Sequence, residues 1–128
     1  MTTTTPPYST SHQLARLIGP ALLTISMAES VNAHIWASSS PPTIFLNGSI
    51  IFVSGLAIVR HHNLWTTSWP VLVTLSGWTG LALGLTRMLI PEKVLESVKK
   101  AQPRDVRAGA LVVAAFGGAL TLCGYFAA

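Results

Sequence analysis

The sequence has few charged residues. Only 9% of its 128 residues are Asp, Glu, Lys or Arg, whereas an average soluble domain has about 25%. Half of the residues are hydrophobic, and the mean hydropathy is +0.54. Because so few charges cannot solvate the surface of a globular domain, the composition predicts a protein that resides in a lipid bilayer. The length allows one compact domain.

Cysteine is almost absent, and no set of reactive residues stands out. The single Cys123 excludes a disulfide within the chain, and its apolar surroundings predict a buried small side chain. The sequence contains no nucleophile–base arrangement, glycine-rich phosphate loop or metal-ligand spacing. It therefore predicts neither an enzyme nor a bound cofactor. Nucleic acid is not a predicted partner, because most of the Lys and Arg residues lie in one short loop.

The first thirteen residues, MTTTTPPYSTSHQ, contain no Lys or Arg. A secretory signal peptide would have a positively charged start and a shorter apolar core than the run that follows here. Residues 1–13 are therefore predicted to form a short polar tail, flexible unless a partner orders it.

Four long apolar runs dominate the rest of the chain, at about residues 14–36, 43–59, 69–90 and 106–126. Each has the length that an α-helix needs to cross a hydrocarbon core of about 30 Å. Backbone groups find no water in that core, so helices are the expected form. The sequence thus predicts an all-α protein in which residues 14–128 form a four-helix transmembrane bundle in the lipid bilayer.

A different pattern occupies residues 91–102, PEKVLESVKKAQ. Val94, Leu95 and Val98 fall on one helical face and the charged residues fall on the others, which predicts a short amphipathic helix in the membrane interface. A merely solvated charged loop is the alternative. The cations of this region also predict the topology, because cytoplasmic loops are enriched in Lys and Arg. The loop between the third and fourth spans should be cytoplasmic, with both termini on the opposite side of the membrane; its cations are Lys93, Lys99, Lys100, Arg104 and Arg107.

Polar side chains interrupt the apolar runs near their predicted cytoplasmic ends. Counting along the helices at 1.5 Å per residue brings five of them to a similar depth: Glu29, Asn32, His34, Asn47 and Arg87. A charge inside the membrane is costly and is normally paired or faces a cavity. We therefore expect Glu29 to pair with Arg87, with Asn32 and Asn47 as hydrogen-bonding neighbours. Such a cluster could hold helices together, conduct protons or ions, or bind the head group of a lipid or cofactor.

The remaining histidines lie at the other end of the bundle. His34 cannot form a bis-histidine haem site with His61 or His62, because the two imidazoles would lie at different depths. Adjacent His61 and His62 lack further metal ligands at a specific spacing. We expect this segment to lie at the lipid head groups, where tryptophan keeps its N–H hydrated; its polar and aromatic residues are His61, His62, Asn63, Trp65 and Trp69.

Small residues recur at helical spacing in the last two spans. Gly80 and Gly84 are two small residues four positions apart, with Gly77 nearby, and Ala114 and Gly118 form a second pair with this spacing. Such pairs let helices approach closely. They are common in membrane helices and fit either packing within the bundle or self-association.

Residues 55–92 carry a resemblance to a known group. A His-Asn-x-Trp stretch, a Trp opening the third helix, a Thr-x-x-Gly-Trp core and an Arg followed by Pro resemble a group of small bacterial four-helix inner membrane proteins. The matching residues here are His62, Asn63, Trp65, Trp69, Thr74, Gly77, Trp78, Arg87 and Pro91. The resemblance covers under a third of the chain and implies a bacterial inner (cytoplasmic) membrane protein, without implying an activity.

These observations predict an accessory or assembly subunit of a larger membrane complex, bound to other membrane subunits or to copies of itself. The alternative is a small oligomeric channel or transporter that uses Glu29 to carry protons or small cations. A lipid-binding role is a third possibility.

Overall fold

The computed structural model describes the backbone of residues 7–127 and the side chains of residues 10–35, 38–102 and 104–127. All regular structure in this part of the chain is helical. Five α-helices and one short 3₁₀ segment follow one another: α1 (Pro7–Val31), the 3₁₀ segment (Ala33–Ser38), α2 (Pro41–His61), α3 (Val71–Leu89), α4 (Pro91–Lys100) and α5 (Pro103–Phe126).

Four of the helices, α1, α2, α3 and α5, are long and apolar enough to cross a membrane. With 19 to 25 residues each, they are about 28–37 Å long at 1.5 Å per residue. Large apolar side chains lie exposed along all four, among them Leu17, Val53, Leu83 and Leu111. The predicted all-α four-helix bundle is confirmed, and its architecture is that of a multi-pass membrane protein.

The first helix differs from the sequence prediction at both ends. It begins at Pro7, so residues 7–13 belong to α1 and not to a flexible tail, while residues 1–6 lie outside the described part of the chain. Proline suits the first turn of a helix, and Ser11 and His12 have tertiary hydrogen bonds that hold this turn in place. At its other end α1 stops at Val31, and the 3₁₀ segment continues toward α2.

The helices form two antiparallel pairs. In the first, α2 packs on α3 through glycines: a Cβ atom at Gly55 would lie 2.6 Å from the Leu81 nitrogen and 2.7 Å from the Gly77 oxygen. Gly84 faces the backbone of Phe52 and Gly48 in the same way. The two backbones are therefore in contact with no side chain between them, which only glycine allows.

The second pair joins α1 to α5. A Cβ atom at Gly117 would lie 2.9 Å from both the Gly19 oxygen and the Leu23 nitrogen. Closer to the chain ends, the Arg16 Nε atom donates to the Gly124 oxygen over 2.6 Å. Near the other end of the same pair, the Arg107 Nε atom donates to the Ser30 oxygen over 3.3 Å.

The two pairs meet at the end of the bundle that contains the start of α1 and the end of α2. A small apolar core joins them there, formed by Ala15, Ile18, Val73 and Leu120. At the opposite end α4 packs by Leu95, which is buried, and keeps its lysines exposed. The Asp105 carboxylate accepts the Gln102 backbone N–H over 3.0 Å and stabilises the start of α5.

Candidate functional site

Arg87 and Asn47 form the centre of the polar cluster near the α4 end of the bundle. The Arg87 Nη1 atom donates a hydrogen bond to the Asn47 side-chain oxygen, which joins α3 to α2. Arg87 stands in the last turn of α3, and Gly48 leaves room beside it: a Cβ atom at Gly48 would lie 2.6 Å from the Arg87 Cβ atom. The missing side chain at Gly48 thus lets the arginine stem lie against α2 while its head reaches Asn47.

Glu29 faces this centre from the other helix pair without touching it. Its carboxylate acts electrostatically on the Arg87 guanidinium, but no hydrogen bond or ion pair within 4 Å joins the two described side chains. The direct partner of Arg87 is therefore the neutral Asn47 and not Glu29. Because α1 and α3 belong to different pairs, their side chains are not drawn together by glycine contacts as those of α2 and α3 are.

Asn32 and His34 do not join the cluster. The Asn32 side chain donates to the Ala28 oxygen in the last turn of α1 over 3.0 Å and is exposed. His34 lies exposed in the 3₁₀ segment. Since α1 ends at Val31, both residues follow the helix, and the similar depth that the sequence predicted does not bring their side chains to Arg87.

The most buried polar site of the described chain surrounds His62, just after the end of α2. His62 is only 3% exposed, and its two hydrogen-bonding neighbours, Ser11 of α1 and Thr74 of α3, are 0% exposed. The His62 Nε2 atom lies 2.6 Å from the Ser11 hydroxyl oxygen, and the Nδ1 atom lies 2.9 Å from the Thr74 hydroxyl oxygen. One imidazole therefore connects the two helix pairs. Its neighbour His61 is exposed.

Thr74 decides which ring nitrogen carries the proton. Its hydroxyl donates to the Leu64 oxygen and accepts from the Leu64 backbone N–H, each over 2.9 Å. A hydroxyl has one proton to give, so the bond to the imidazole is donated by Nδ1–H of His62. In the neutral ring Nε2 then accepts the proton of Ser11. This assignment satisfies every polar atom of the site and follows from the hydrogen-bond network.

Burial disfavours the charged form of His62. Loss of hydration lowers the pKa of this imidazole below its ordinary value, while a backbone hydrogen bond opposes part of the shift. The neutral ring with its proton on Nδ1 is therefore the form that the fold stabilises.

The residues around His62 form a connected aromatic and polar layer. The Asn63 side-chain oxygen accepts the indole N–H of Trp65 over 2.9 Å and that of Trp78 over 3.2 Å. Trp69 is half-buried and lies edge-on to the His12 ring, with 5.0 Å between ring centroids. The segment 61–69, predicted to be a simple head-group contact, thus also fastens the loop to α1 and α3.

Two side chains of α1 meet the carboxyl end of α5 in the same layer. The His12 Nε2 atom donates to the Ala127 oxygen over 2.8 Å, and Arg16 lies over the Tyr125 ring at 5.0 Å from its centroid. Helix carboxyl ends carry unpaired carbonyls and partial negative charge. His12 and Arg16 therefore cap α5 and hold it against α1.

The small residues named by the sequence separate into two groups. Gly77, Gly80 and Gly84 lie at the close approach to α2. Gly118 has no heavy atom within 4 Å of its would-be Cβ, so it makes no close approach to the described chain. Ala114 is half-buried beside Ser26 and Ser30 of α1. The α5 glycines that contact α1 are Gly117 and Gly124, so the contact does not use Gly118 of the predicted Ala114–Gly118 pair.

Two residues of the His62 site, Ser11 and Thr74, had no predicted structural role. Ser11 lies in the segment that was predicted to be a flexible tail. Thr74 was named only as one of the residues that carry the resemblance. A partial signal was present: His62 directly follows α2 and Thr74 lies in the first turn of α3. Both residues therefore belong to the connected end of one helical hairpin.

Metal ligation and hydrogen-bond satisfaction can be assessed for the described side chains. No group of three His, Cys, Asp or Glu residues in this part of the chain could hold a metal ion. Every buried side-chain nitrogen and oxygen among the described residues has a hydrogen-bond partner. Comparisons with known protein families, with curated proteins and with solved structures found no match to this chain.

Proposed function

We propose that the protein is a non-catalytic accessory or assembly subunit of a larger membrane complex. The observation that carries this proposal is the outward face of α5. Leu111, Gly118 and Leu122 share one side of that helix by their spacing, both leucines are largely exposed, and Gly118 offers a close approach that its own bundle does not use. A neighbouring transmembrane helix fits such a face.

The cellular location and the membrane orientation in this proposal rest on the sequence resemblance and on the distribution of Lys and Arg residues. We place the protein in a bacterial inner membrane, with the α4 loop in the cytoplasm and both termini on the opposite side. Its partners there are other membrane subunits or further copies of the chain.

Gly118→Leu should remove the partner and leave the bundle folded. A leucine side chain at position 118 would push away a partner helix packed against Gly118. The bundle itself would tolerate the change, because no heavy atom of the described chain lies within 4 Å of a Cβ atom at this position. The measurement is purification from the native membrane in mild detergent, followed by identification of the proteins that accompany each variant.

Gly109→Leu is the matched control, since Gly109 is equally open and lies on the opposite side of α5 by its spacing. It should retain the partner. Retention of the partner in Gly118→Leu, or equal loss in both variants, would contradict the assignment of this face.

A proton or small-cation pathway is the second candidate, and Glu29 favours it. This carboxylate is half-buried in a helix of membrane-spanning length and has no hydrogen-bond partner in the described chain. An intramembrane carboxylate that is not hydrogen-bonded is able to exchange a proton with a pathway.

If this second candidate is correct, purified protein in empty liposomes should show a pH-driven flux that Glu29→Gln abolishes. A carboxamide keeps the shape of the side chain but cannot exchange a proton near neutral pH. Glu92→Gln, at an exposed position of α4, should leave the flux unchanged. Absence of flux from the wild-type protein, together with a partner that Gly118→Leu removes, would eliminate the transport function.

A further inference from the structure

A chain of buried hydrogen bonds runs from Ser11 through His62 to Thr74 and crosses from one helix pair to the other. We propose that His62 is an acid-sensitive link between the two pairs. Protonation of its imidazole loosens the contact of the α1–α5 pair with the α2–α3 pair at this end of the bundle, and deprotonation restores it.

The hydrogen bonds of the ring match its neutral form. Nδ1 already donates to Thr74, and Nε2 accepts from the Ser11 hydroxyl over 2.6 Å. A proton added to Nε2 would point at that hydroxyl, so Ser11 would have to turn its own proton away and become the acceptor. The resulting charge would lie where only 3% of the residue is exposed to solvent, and burial of a charge is costly unless it is paired.

No side-chain carboxylate is available to pair with that charge. All four acidic residues of the chain lie toward the opposite end of the bundle: Glu29, Glu92, Glu96 and Asp105. Positively charged side chains at the His62 end of the bundle, such as Arg16 and Arg60, would repel a protonated imidazole. Among the described residues, a protonated His62 therefore has no carboxylate side chain to offset its lost hydration.

Among the described side chains, the other ionisable groups at this end come from three helices. They are His12 and Arg16 of α1, Arg60 and His61 of α2, and Cys123 and Tyr125 of α5. The part of α3 beside His62 contributes none, because Arg87 lies about 20 Å further along that helix at 1.5 Å per residue. Only the histidines of this set change charge readily between about pH 5 and 8. His61 and His12 are therefore the competing sensors that an experiment must exclude.

The sign of the effect follows from linkage. The folded protein has a His62 pKa below the unfolded value of about 6.5. The stabilisation is then fully present above the unfolded value and is lost as the pH falls through the lowered value in the folded state. Acid, not alkali, weakens the link.

Purified protein in detergent tests the link by its melting temperature between pH 8 and pH 5. The wild-type midpoint should fall by several degrees on acidification. His62→Gln, which cannot titrate, should lose this dependence, whereas His61→Gln and His12→Gln should keep it. An unchanged pH dependence in His62→Gln, its loss in either control, or a wild-type midpoint that does not respond to pH would each overturn the proposal.

Distances between the pairs test the same link directly. Spin labels at Gln13→Cys on α1 and Ala57→Cys on α2, two exposed positions, are placed in a Cys123→Ser background. The distance distribution should broaden or lengthen at pH 5 in the otherwise native chain and stay fixed when His62→Gln is added. Identical distributions at both pH values in the native chain would contradict the loosening.

If His62→Gln does not fold, ¹⁵N NMR of the imidazole rings can still measure the protonation state of His62 in the native chain. The chain has four histidines, so His12→Gln, His34→Gln and His61→Gln assign the signals without altering His62. The His62 ring should be neutral with its proton on Nδ1 at pH 7 and should titrate below the ordinary histidine pKa. A proton on Nε2 in the neutral form, or titration at or above the ordinary pKa, would refute the proposal.

Discussion

Gly84→Ala should separate α2 from α3 and leave little folded protein. A Cβ atom at this position would collide with the backbone of Phe52 and would lie 2.6 Å from the Gly48 oxygen. Backbone atoms of a packed helix cannot swing aside as the end of a long side chain can. Overpacking costs about 1–3 kcal/mol and occasionally more, and the upper end applies here. That is a large fraction of a typical folding free energy of about 5–15 kcal/mol.

Gly109→Ala is the same chemical change in open space and provides the control, since no heavy atom lies within 4 Å of its would-be Cβ. Alanine is the better helix former by about 1 kcal/mol in helices of soluble proteins, so no loss of stability is expected. The measurement is the fraction of monodisperse protein that remains after heating, determined by size-exclusion chromatography. Equal losses in the two variants would mean that the α2–α3 contact is not as close as described.

Thr74→Val should destabilise the protein at the opposite end of the same helix pair. Valine has nearly the same shape, so the change removes the hydroxyl and little else. That hydroxyl serves the His62 ring, the Leu64 N–H and the Leu64 oxygen. A buried polar group left without its partner costs about 1–3 kcal/mol, so we expect a total loss of about 2–4 kcal/mol.

Thr86→Val gives the comparison for this prediction. The Thr86 hydroxyl donates to Ala82 of its own helix and is exposed, so its removal should cost much less. The measurement is the melting temperature of each variant relative to the wild-type protein at pH 8, where His62 is neutral. A loss at Thr86 as large as that at Thr74 would show that the buried network contributes no more than a local bond.

The depth of a residue in the bundle can be predicted from its position along a helix, as Glu29, Asn47 and Arg87 show. Counting residues brought all three to one level, and Asn47 and Arg87 are in contact in the structure. Depth does not determine direction around the helix axis, however, nor which helices approach most closely. The glycines between α2 and α3 bring Arg87 to Asn47, while Glu29 on α1 stays at electrostatic range.

The sequence by itself determined the number of membrane-length helices and the amphipathic character of α4. Both properties depend on hydrophobicity and its period along the chain, which are local. The helical start of the chain is different. Residues 7–13 are polar and have no apolar period, and they are held as part of α1 by partners far along the sequence, such as His62 for Ser11 and Ala127 for His12.

Tertiary structure alone decided that His62 is buried and His61 exposed. The two residues are identical and adjacent, so no composition or hydropathy argument can separate them. The difference arises because α2 ends at His61, which directs the next imidazole into the space between Ser11 and Thr74. That space exists only when α1 and α3, far apart in the sequence, are brought together, and hydrogen bonds between distant residues leave no periodic signal in the chain.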